Sequence, residues 1–144
     1  MKLRILSTVV LMGMLWSCQE ASKKPKSQEP KLAVEQLEGY WEIAFVTHAN
    51  ETFYPKRGGI PLWDYYQINE KEGFRKKGQP TFNGRFQTSE AATSFQIREN
   101  SNGFALVFKT PLDSWEEEIV TLDSLQLVLA HHHKEYHYNR RQLK

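Results

Sequence analysis

The chain has 144 residues, of which 19 are lysine or arginine, 17 are aspartate or glutamate and 12% are aromatic. Removal of residues 1–17 would take away Lys2 and Arg4 and no acid, which leaves a net charge of zero. A neutral protein lacks the strong positive field that nucleic-acid binding requires, so that class of function is excluded. The single cysteine excludes a disulfide within the chain, and the length suits one small domain after the N-terminal part.

The first part of the chain has the pattern of a secretory signal. Lys2 and Arg4 give a positive start, residues 5–15 form an apolar run without charge, and the small residue Ser17 precedes Cys18. The run is too short to cross a bilayer, which takes about 20 residues. We therefore expect residues 1–17 to be a signal peptide that is removed.

The end of this run resembles the lipobox of bacterial lipoproteins. In that motif a leucine lies three positions before the acylated cysteine, as Leu15 does before Cys18. The resemblance implies a mature chain that begins at Cys18 and is held in a membrane by several acyl chains, which make detachment negligible. Gln19 is not the aspartate that retains lipoproteins at the inner membrane in well-studied enterobacteria. The expected location is the outer membrane, while the choice between the two membranes and the face of the membrane stay open. The alternative is a secreted protein with one free thiol.

Residues 18–31 are expected to form a disordered tether. Residues 19–31 lack any large apolar side chain and contain two prolines and four lysines, a composition that cannot bury a core. The basic cluster of Lys23, Lys24 and Lys26 either contacts anionic headgroups or is simply solvated. Residues 32–38 contain helix formers with apolar positions on one face, and Gly39 suits the position after a helix. A short helix is therefore predicted there.

After Gly39 the apolar period changes to two, which is typical of strands. Phe104, Leu106 and Phe108, for example, alternate with other residues behind a strong turn signal at 100–103. The pattern predicts an all-β domain over residues 32–144, built as a small up-and-down antiparallel barrel of eight or nine strands, because closure removes free edges. The predicted strands cover residues 41–46, 62–69, 74–77, 81–88, 95–98, 104–109, 115–122, 125–131 and 135–141.

The tripeptide Gly39-Tyr40-Trp41 resembles the Gly-x-Trp signature of lipocalins, which are eight-stranded barrels that hold small apolar molecules. In that family an arginine of the last strand packs over the tryptophan, and Arg140 is the matching residue. More closely, the chain resembles the lipocalin-like domain of envelope lipoproteins in Gram-negative bacteria. Residues 119–129 and the closing Tyr136-x-Tyr138-Asn139-Arg140 fit that layout. The resemblance implies a Trp41–Arg140 pair and a barrel attached to the cell envelope.

The register of the last hairpin can be predicted from its turn. A turn centred on His133 and Lys134 places Arg140 opposite Leu127. Arg140 then shares the interior face with Leu125 and Leu127, where an arginine over an indole contributes about 0.5–2 kcal/mol.

The interior of such a barrel is the candidate binding region. An eight-stranded barrel is just wide enough to be filled by its own side chains or to hold one small ligand. The loop over residues 49–60 is expected at the barrel mouth, where its glycines would let it act as a lid. The candidate ligand-binding residues are Trp41, Phe45, Phe95, Phe104, Phe108 and Leu127.

Other polar groups have simple alternatives to a functional role. His132 and His137 with Glu135 could hold zinc or copper, but a polar outer face near a turn explains them, so no metal or other cofactor is expected. Glu116 and Glu118 share one strand face and suit a solvated surface. Because no recognisable nucleophile motif is present, we expect no enzyme activity.

Two surface features remain open. A basic hairpin at Lys71 and residues 75–77 either meets lipid phosphates or keeps a sheet edge soluble. Asp123-Ser124-Leu125 resembles an O-glycosylation acceptor and also suits a plain turn.

Two functions follow from this pattern. The first is a membrane-anchored envelope lipoprotein whose barrel binds or shields a small apolar molecule. The second is a non-enzymatic envelope module with a filled barrel that docks a protein partner.

Overall fold

The computed structural model describes residues 34–142 except positions 57, 60, 62 and 84. The expected signal peptide, the tether and Cys18 lie outside the described residues, as does the first part of the predicted helix. Val34 and Glu35 are helical and continue into a turn. Within the described residues, no helix has the length and apolarity needed to cross a bilayer. The strands are β1 (Gly39–His48), β2 (Glu51–Phe53), β3 (Trp63–Asn69), β4 (Glu72–Pro80), β5 (Phe86–Asn100), β6 (Gly103–Lys109), β7 (Ser114–Leu122), β8 (Gln126–His131) and β9 (Lys134–Arg141).

The strands form one closed antiparallel sheet. Their order is β2-β1-β3-β4-β5-β6-β7-β8-β9, and β1 also pairs with β9, which closes the barrel. The short strand β2 pairs with residues 46–48 at the end of β1, so eight strands form the barrel wall. The predicted all-β, up-and-down antiparallel barrel is therefore confirmed. Closure pairs both edges of the wall, which an open sheet would leave available to other chains.

The two ends of the barrel differ in what covers them. At the lower end lie the helical turn at Val34, the start of β1, the end of β9 and the turns at residues 70–71, 101–102 and 123–125. At the upper end lie the connections at residues 49–50, 54–62, 81–85, 110–113 and 132–133. Consecutive hairpins alternate between the ends because every wall strand is antiparallel to its neighbours. The helical turn therefore caps the lower end.

The last hairpin has a different register from the one expected. Its turn is at His132 and His133, with φ of 48° and 61°, and Leu127 pairs with Tyr138. Two residues with positive φ are typical of the two-residue turn whose twist matches that of antiparallel strands. The expected register is wrong by two residues. A shift of two residues leaves each side chain on the same face of the sheet, so Arg140 still faces the interior. Leu125, in contrast, lies in a turn and is 62% exposed.

A bulge in β1 changes which side chains face inward. Ile43 pairs with Tyr138 and Phe45 pairs with His137, so Ala44 is an extra residue on β1. An extra residue reverses the alternation beyond it. Phe45 consequently stacks on the outward ring of His137, with ring centroids 4.2 Å apart, instead of facing inward as expected.

The core lies along the barrel axis and contains large side chains. A methyl group on Gly73 would clash with the carbonyl oxygen of Gln67 and would lie 2.6 Å from Cζ of Phe95. Glycine therefore allows the Phe95 ring to pack against the backbone of β4. The most deeply buried side chains of this core are Trp41, Tyr66, Phe108, Leu37, Leu106, Leu127 and Leu129.

Candidate binding site

Trp41 and Arg140 fix the helical turn at the lower end. The Arg140 guanidinium lies 4.2 Å from the centroid of the Trp41 ring, and the indole Nε1 donates a 2.8 Å hydrogen bond to the carbonyl oxygen of Leu37. Arg140 also donates to the carbonyl oxygens of Gln36 and Glu38. These contacts satisfy backbone acceptors at the end of the turn, which would otherwise lack partners. Arg140 is partly buried, and this burial lowers its pKa.

Gly39 makes this arrangement possible. Its φ of +122° lies in a region that side chains other than glycine rarely adopt. A Cβ at this position would also lie 2.9 Å from the Nη1 atom of Arg140. The glycine and the tryptophan of the Gly-x-Trp pattern therefore act together. One lets the chain turn into β1 beneath Arg140, and the other supplies the ring on which Arg140 lies.

A cleft lies between this helical turn and the two neighbouring hairpins of the lower end. Its volume is about 1180 Å³, and it is partly open to solvent. Four apolar side chains from the turn, β3, β5 and β6 form its inner wall, and the β3–β4 and β5–β6 hairpins supply its rim. The inner wall consists of Val34, Ile68, Ile97 and Phe104.

The rim of the cleft is acidic. It contains five glutamates and one lysine, and all six side chains are exposed. An array of one sign of charge favours neutral or cationic molecules over anionic ones, although salt screens the effect at exposed positions. The charged residues are Glu35, Glu38, Glu70, Lys71, Glu72 and Glu99.

The structure separates the expected ligand-binding residues into three groups. Trp41, Phe95, Phe108 and Leu127 are buried in the packed core, so their side chains fill the barrel. Phe104 lines the cleft, and Phe45 lies outside the core. Their role in binding stays a prediction. Sequence periodicity could not reveal the cleft, because its walls come from turns far apart in the chain.

A buried ion pair crosses the middle of the barrel. Nη1 of Arg75 donates to both carboxylate oxygens of Glu117, at 2.9 and 3.1 Å. The indole of Trp115 donates to the same carboxylate at 2.9 Å, and the guanidinium lies 4.3 Å from the centroid of the Phe108 ring. Arg75 therefore belongs to the core and not to an exposed basic hairpin, which corrects that expectation.

The pKa shifts in this cluster have clear causes. Burial raises the pKa of Tyr66, whose hydroxyl accepts a 3.4 Å hydrogen bond from Arg75. Burial alone would lower the pKa of Arg75, but Tyr66 and Glu117 outweigh it and the net shift is upward. The guanidinium of Arg75 therefore stays charged. The Arg75–Glu117 ion pair is a fixed structural element that occupies the middle of the barrel.

A second carboxylate, Asp64, is buried on β3, where it pairs with Trp41 of β1. Its Oδ1 lies 2.5 Å from Nζ of Lys77, whose side chain is mostly exposed. Lys77 thus pairs with Asp64 across β3 and β4. The aliphatic part of its side chain lies along the barrel wall, while most of the side chain stays exposed. Two members of the expected basic hairpin, Arg75 and Lys77, are therefore paired with carboxylates, although Lys77 stays mostly exposed.

Three solved structures are similar to this chain at low TM-scores and low sequence identity. A lipocalin-like protein from Bacteroides uniformis has a TM-score of 0.46 and 8% identity, over 74% of this chain and 99% of that chain. A protein from Bacteroides eggerthii has a TM-score of 0.46 and 5% identity, over 73% and 99%. Lobster apocrustacyanin A1 has a TM-score of 0.42 and 11% identity, over 76% and 64%. No protein-family model and no curated protein matches the sequence.

Because all three TM-scores are below 0.5, the fold assignment rests on the strand order and closure of this chain.

The histidines near the last turn make separate polar and packing contacts, although the rings of His131 and His132 lie 3.9 Å apart. Nδ1 of His131 lies 2.7 Å from the carbonyl oxygen of Glu116, and His132 is in the turn while His137 packs on Phe45. Val128, not Ala130, pairs with His137, which corrects the expected register. Among the described residues, no three histidine, cysteine or acidic side chains are grouped to hold a metal ion.

Proposed function

We propose that the protein binds a small molecule with an apolar body in the cleft at the lower end of the barrel, without catalysis. The supporting observation is a cleft of about 1180 Å³ with an apolar inner wall. Small-molecule sites usually measure about 300–1,000 Å³ and combine apolar walls with a few polar groups. The packed interior favours this end of the barrel over its centre as the place where a ligand binds.

The charges of the rim restrict the chemistry of the ligand. A carboxylate or sulfate would approach several glutamates, whereas a neutral or cationic group would not be repelled. The apolar part of the ligand would lie against Ile97 and Phe104. The proposed ligand class is therefore a neutral or cationic amphiphile, in preference to a free fatty acid.

A cross-strand pair allows a matched test. Phe104 and Ile119 pair across β6 and β7, and Phe104 lines the cleft while Ile119 packs against the core. We expect Phe104→Ala, in the full chain with Cys18→Ala, to weaken binding of the neutral dye Nile red about ten- to a hundredfold, since burial of a phenylalanine contributes about 1.5–3 kcal/mol. Ile119→Ala should leave the affinity unchanged. Titration by dye fluorescence measures both, and equal affinities of the two variants would contradict the proposed site.

Attachment to the outer membrane of a Gram-negative envelope through acylated Cys18 belongs to the same proposal. Its support is the sequence pattern that ends at Cys18. In a Gram-negative host, we expect Cys18→Ala to move the protein from the membrane pellet to the soluble fraction after a high-salt wash and to abolish labelling by palmitate. Ser17→Ala keeps both the cysteine and a small residue and should stay in the pellet. A Cys18→Ala protein that stays in the washed pellet would exclude an acyl anchor.

The packed interior supports a second candidate, an envelope module that docks a protein. Side chains and the Arg75–Glu117 pair fill the barrel, as a solid scaffold would require. Absence of Nile red binding, together with a defined membrane complex that co-purifies with the acylated protein, would favour this function over ligand binding.

A further inference from the structure

The upper end of the barrel presents large apolar side chains to solvent. Phe82 and Leu112 are fully exposed at the tips of the 81–85 and 110–113 connections, and Tyr54 is 72% exposed after β2, with its ring beside Phe45 on the outer wall. Phe82 and Leu112 come from two different connections at the same end. Exposed apolar groups collected in one region indicate contact with a partner or a membrane.

The same end carries more basic than acidic side chains. Exposed basic side chains lie beside its connections, against three exposed acids, Glu51, Asp113 and Glu135. The lower end has the opposite sign, because the cleft rim is acidic. The charge of the barrel is therefore divided along its axis. The basic residues of the upper end are Lys56, Arg85, Lys109 and Lys134.

We propose that the upper end docks on an anionic lipid surface, with Phe82 and Leu112 inserted at the level of the acyl chains. Membrane binding of this type increases with buried apolar area and with attraction between basic side chains and anionic lipids. A bilayer accepts separate side chains from separate loops, whereas a protein partner needs a preformed pocket for each. The positive charge around the tips complements lipid phosphates. This surface lies at the opposite end from the ligand cleft and does not depend on it.

The test compares a single label at the two ends of the barrel. In the full chain with Cys18→Ala, the variants Phe82→Cys and Leu125→Cys each introduce one exposed thiol, at the upper and the lower end. Each is labelled with an environment-sensitive NBD fluorophore and mixed with vesicles of phosphatidylcholine, with or without phosphatidylglycerol. We expect a blue shift and a severalfold rise in emission at position 82 with the anionic vesicles. The label at position 125 should not respond.

Charge variants test the electrostatic part of the proposal. The triple variant Lys56→Gln, Arg85→Gln and Lys134→Gln should raise the lipid concentration for half-maximal response at position 82 at least tenfold. Lys71→Gln, at the lower end, is the control and should have no effect. Because every variant has the same N-terminal part, a difference between positions 82 and 125 reports which end touches lipid. No response at position 82, an equal response at position 125, or an equal response to neutral vesicles overturns the proposal.

Discussion

Glu117→Ala is expected to lower the free energy of unfolding by about 3–5 kcal/mol, because it leaves the Arg75 guanidinium buried without its carboxylate. The side chains of Arg75 and Glu117 are only 15% and 11% exposed, so water cannot replace the lost partner. The indole of Trp115 loses its acceptor at the same time. Domains of this size have a free energy of unfolding of only about 5–15 kcal/mol. The urea concentration at the midpoint of unfolding should therefore be much lower in this variant.

The neighbouring residue supplies the control. Glu116 pairs with Arg98 on the outer face, where both side chains are considerably more exposed. We expect Glu116→Ala to cost no more than about 1 kcal/mol, as exposed ion pairs usually do. The double variant Arg75→Met with Glu117→Leu removes both buried charges and should recover most of the loss. Similar unfolding midpoints for Glu117→Ala and Glu116→Ala would contradict the buried role of Arg75.

Trp41→Ala is expected to lower the free energy of unfolding by about 3–5 kcal/mol, the cost of removing a large buried aromatic side chain. The ring is fully buried, and it supports Arg140 while its Nε1 binds the carbonyl oxygen of Leu37. The helical turn at Val34 should therefore loosen as well. Urea unfolding measures the first effect. Hydrogen exchange at the amide of Leu37, which donates to the carbonyl oxygen of Val34, measures the second.

Arg140→Ala separates the two effects. This variant removes the donors to Gln36 and Glu38 but leaves the indole in place. It should accelerate exchange at Leu37 with a smaller loss of global stability, about 0.5–2 kcal/mol from the cation–π contact. Unchanged hydrogen exchange at Leu37 in both variants would mean that other contacts hold the helical turn. In that case the Trp41–Arg140 pair would not position Val34, the residue of this turn that lines the cleft.

The sequence was a good guide to the fold because most strands alternate regularly. In β6, Phe104, Leu106 and Phe108 face inward as predicted, and the Gly-x-Trp motif marked the start of β1. One error occurred where an extra residue changes the phase of β1, and another where the last turn lies one residue earlier than expected. The bulge at Ala44 turns Phe45 outward. A bulge depends on pairing with another strand, so hydrophobic alternation along one strand does not reveal it.

The interior polar pair was missed for a different reason. Arg75 and Glu117 are 42 positions apart, and each lies in a run of like charges that resembles a solvated surface. One signal was available, since Glu117 lies in phase between Trp115 and Ile119, which are both inward positions. The cleft was missed because three separate parts of the chain form it, and no local pattern describes such a site.

Closure of the wall joins the first strand to the last, as in the contact between Glu42 and Arg141, 99 positions apart. Pairings over such separations form slowly, because the entropy of closing a long loop opposes them. A growing polypeptide therefore cannot complete the cylinder until β9 has left the ribosome. Until then β1 exposes an unpaired edge to sister chains. Because the barrel closes late, the chain stays incompletely folded during synthesis. Over the same interval its unpaired strand edge can associate with other copies of the chain.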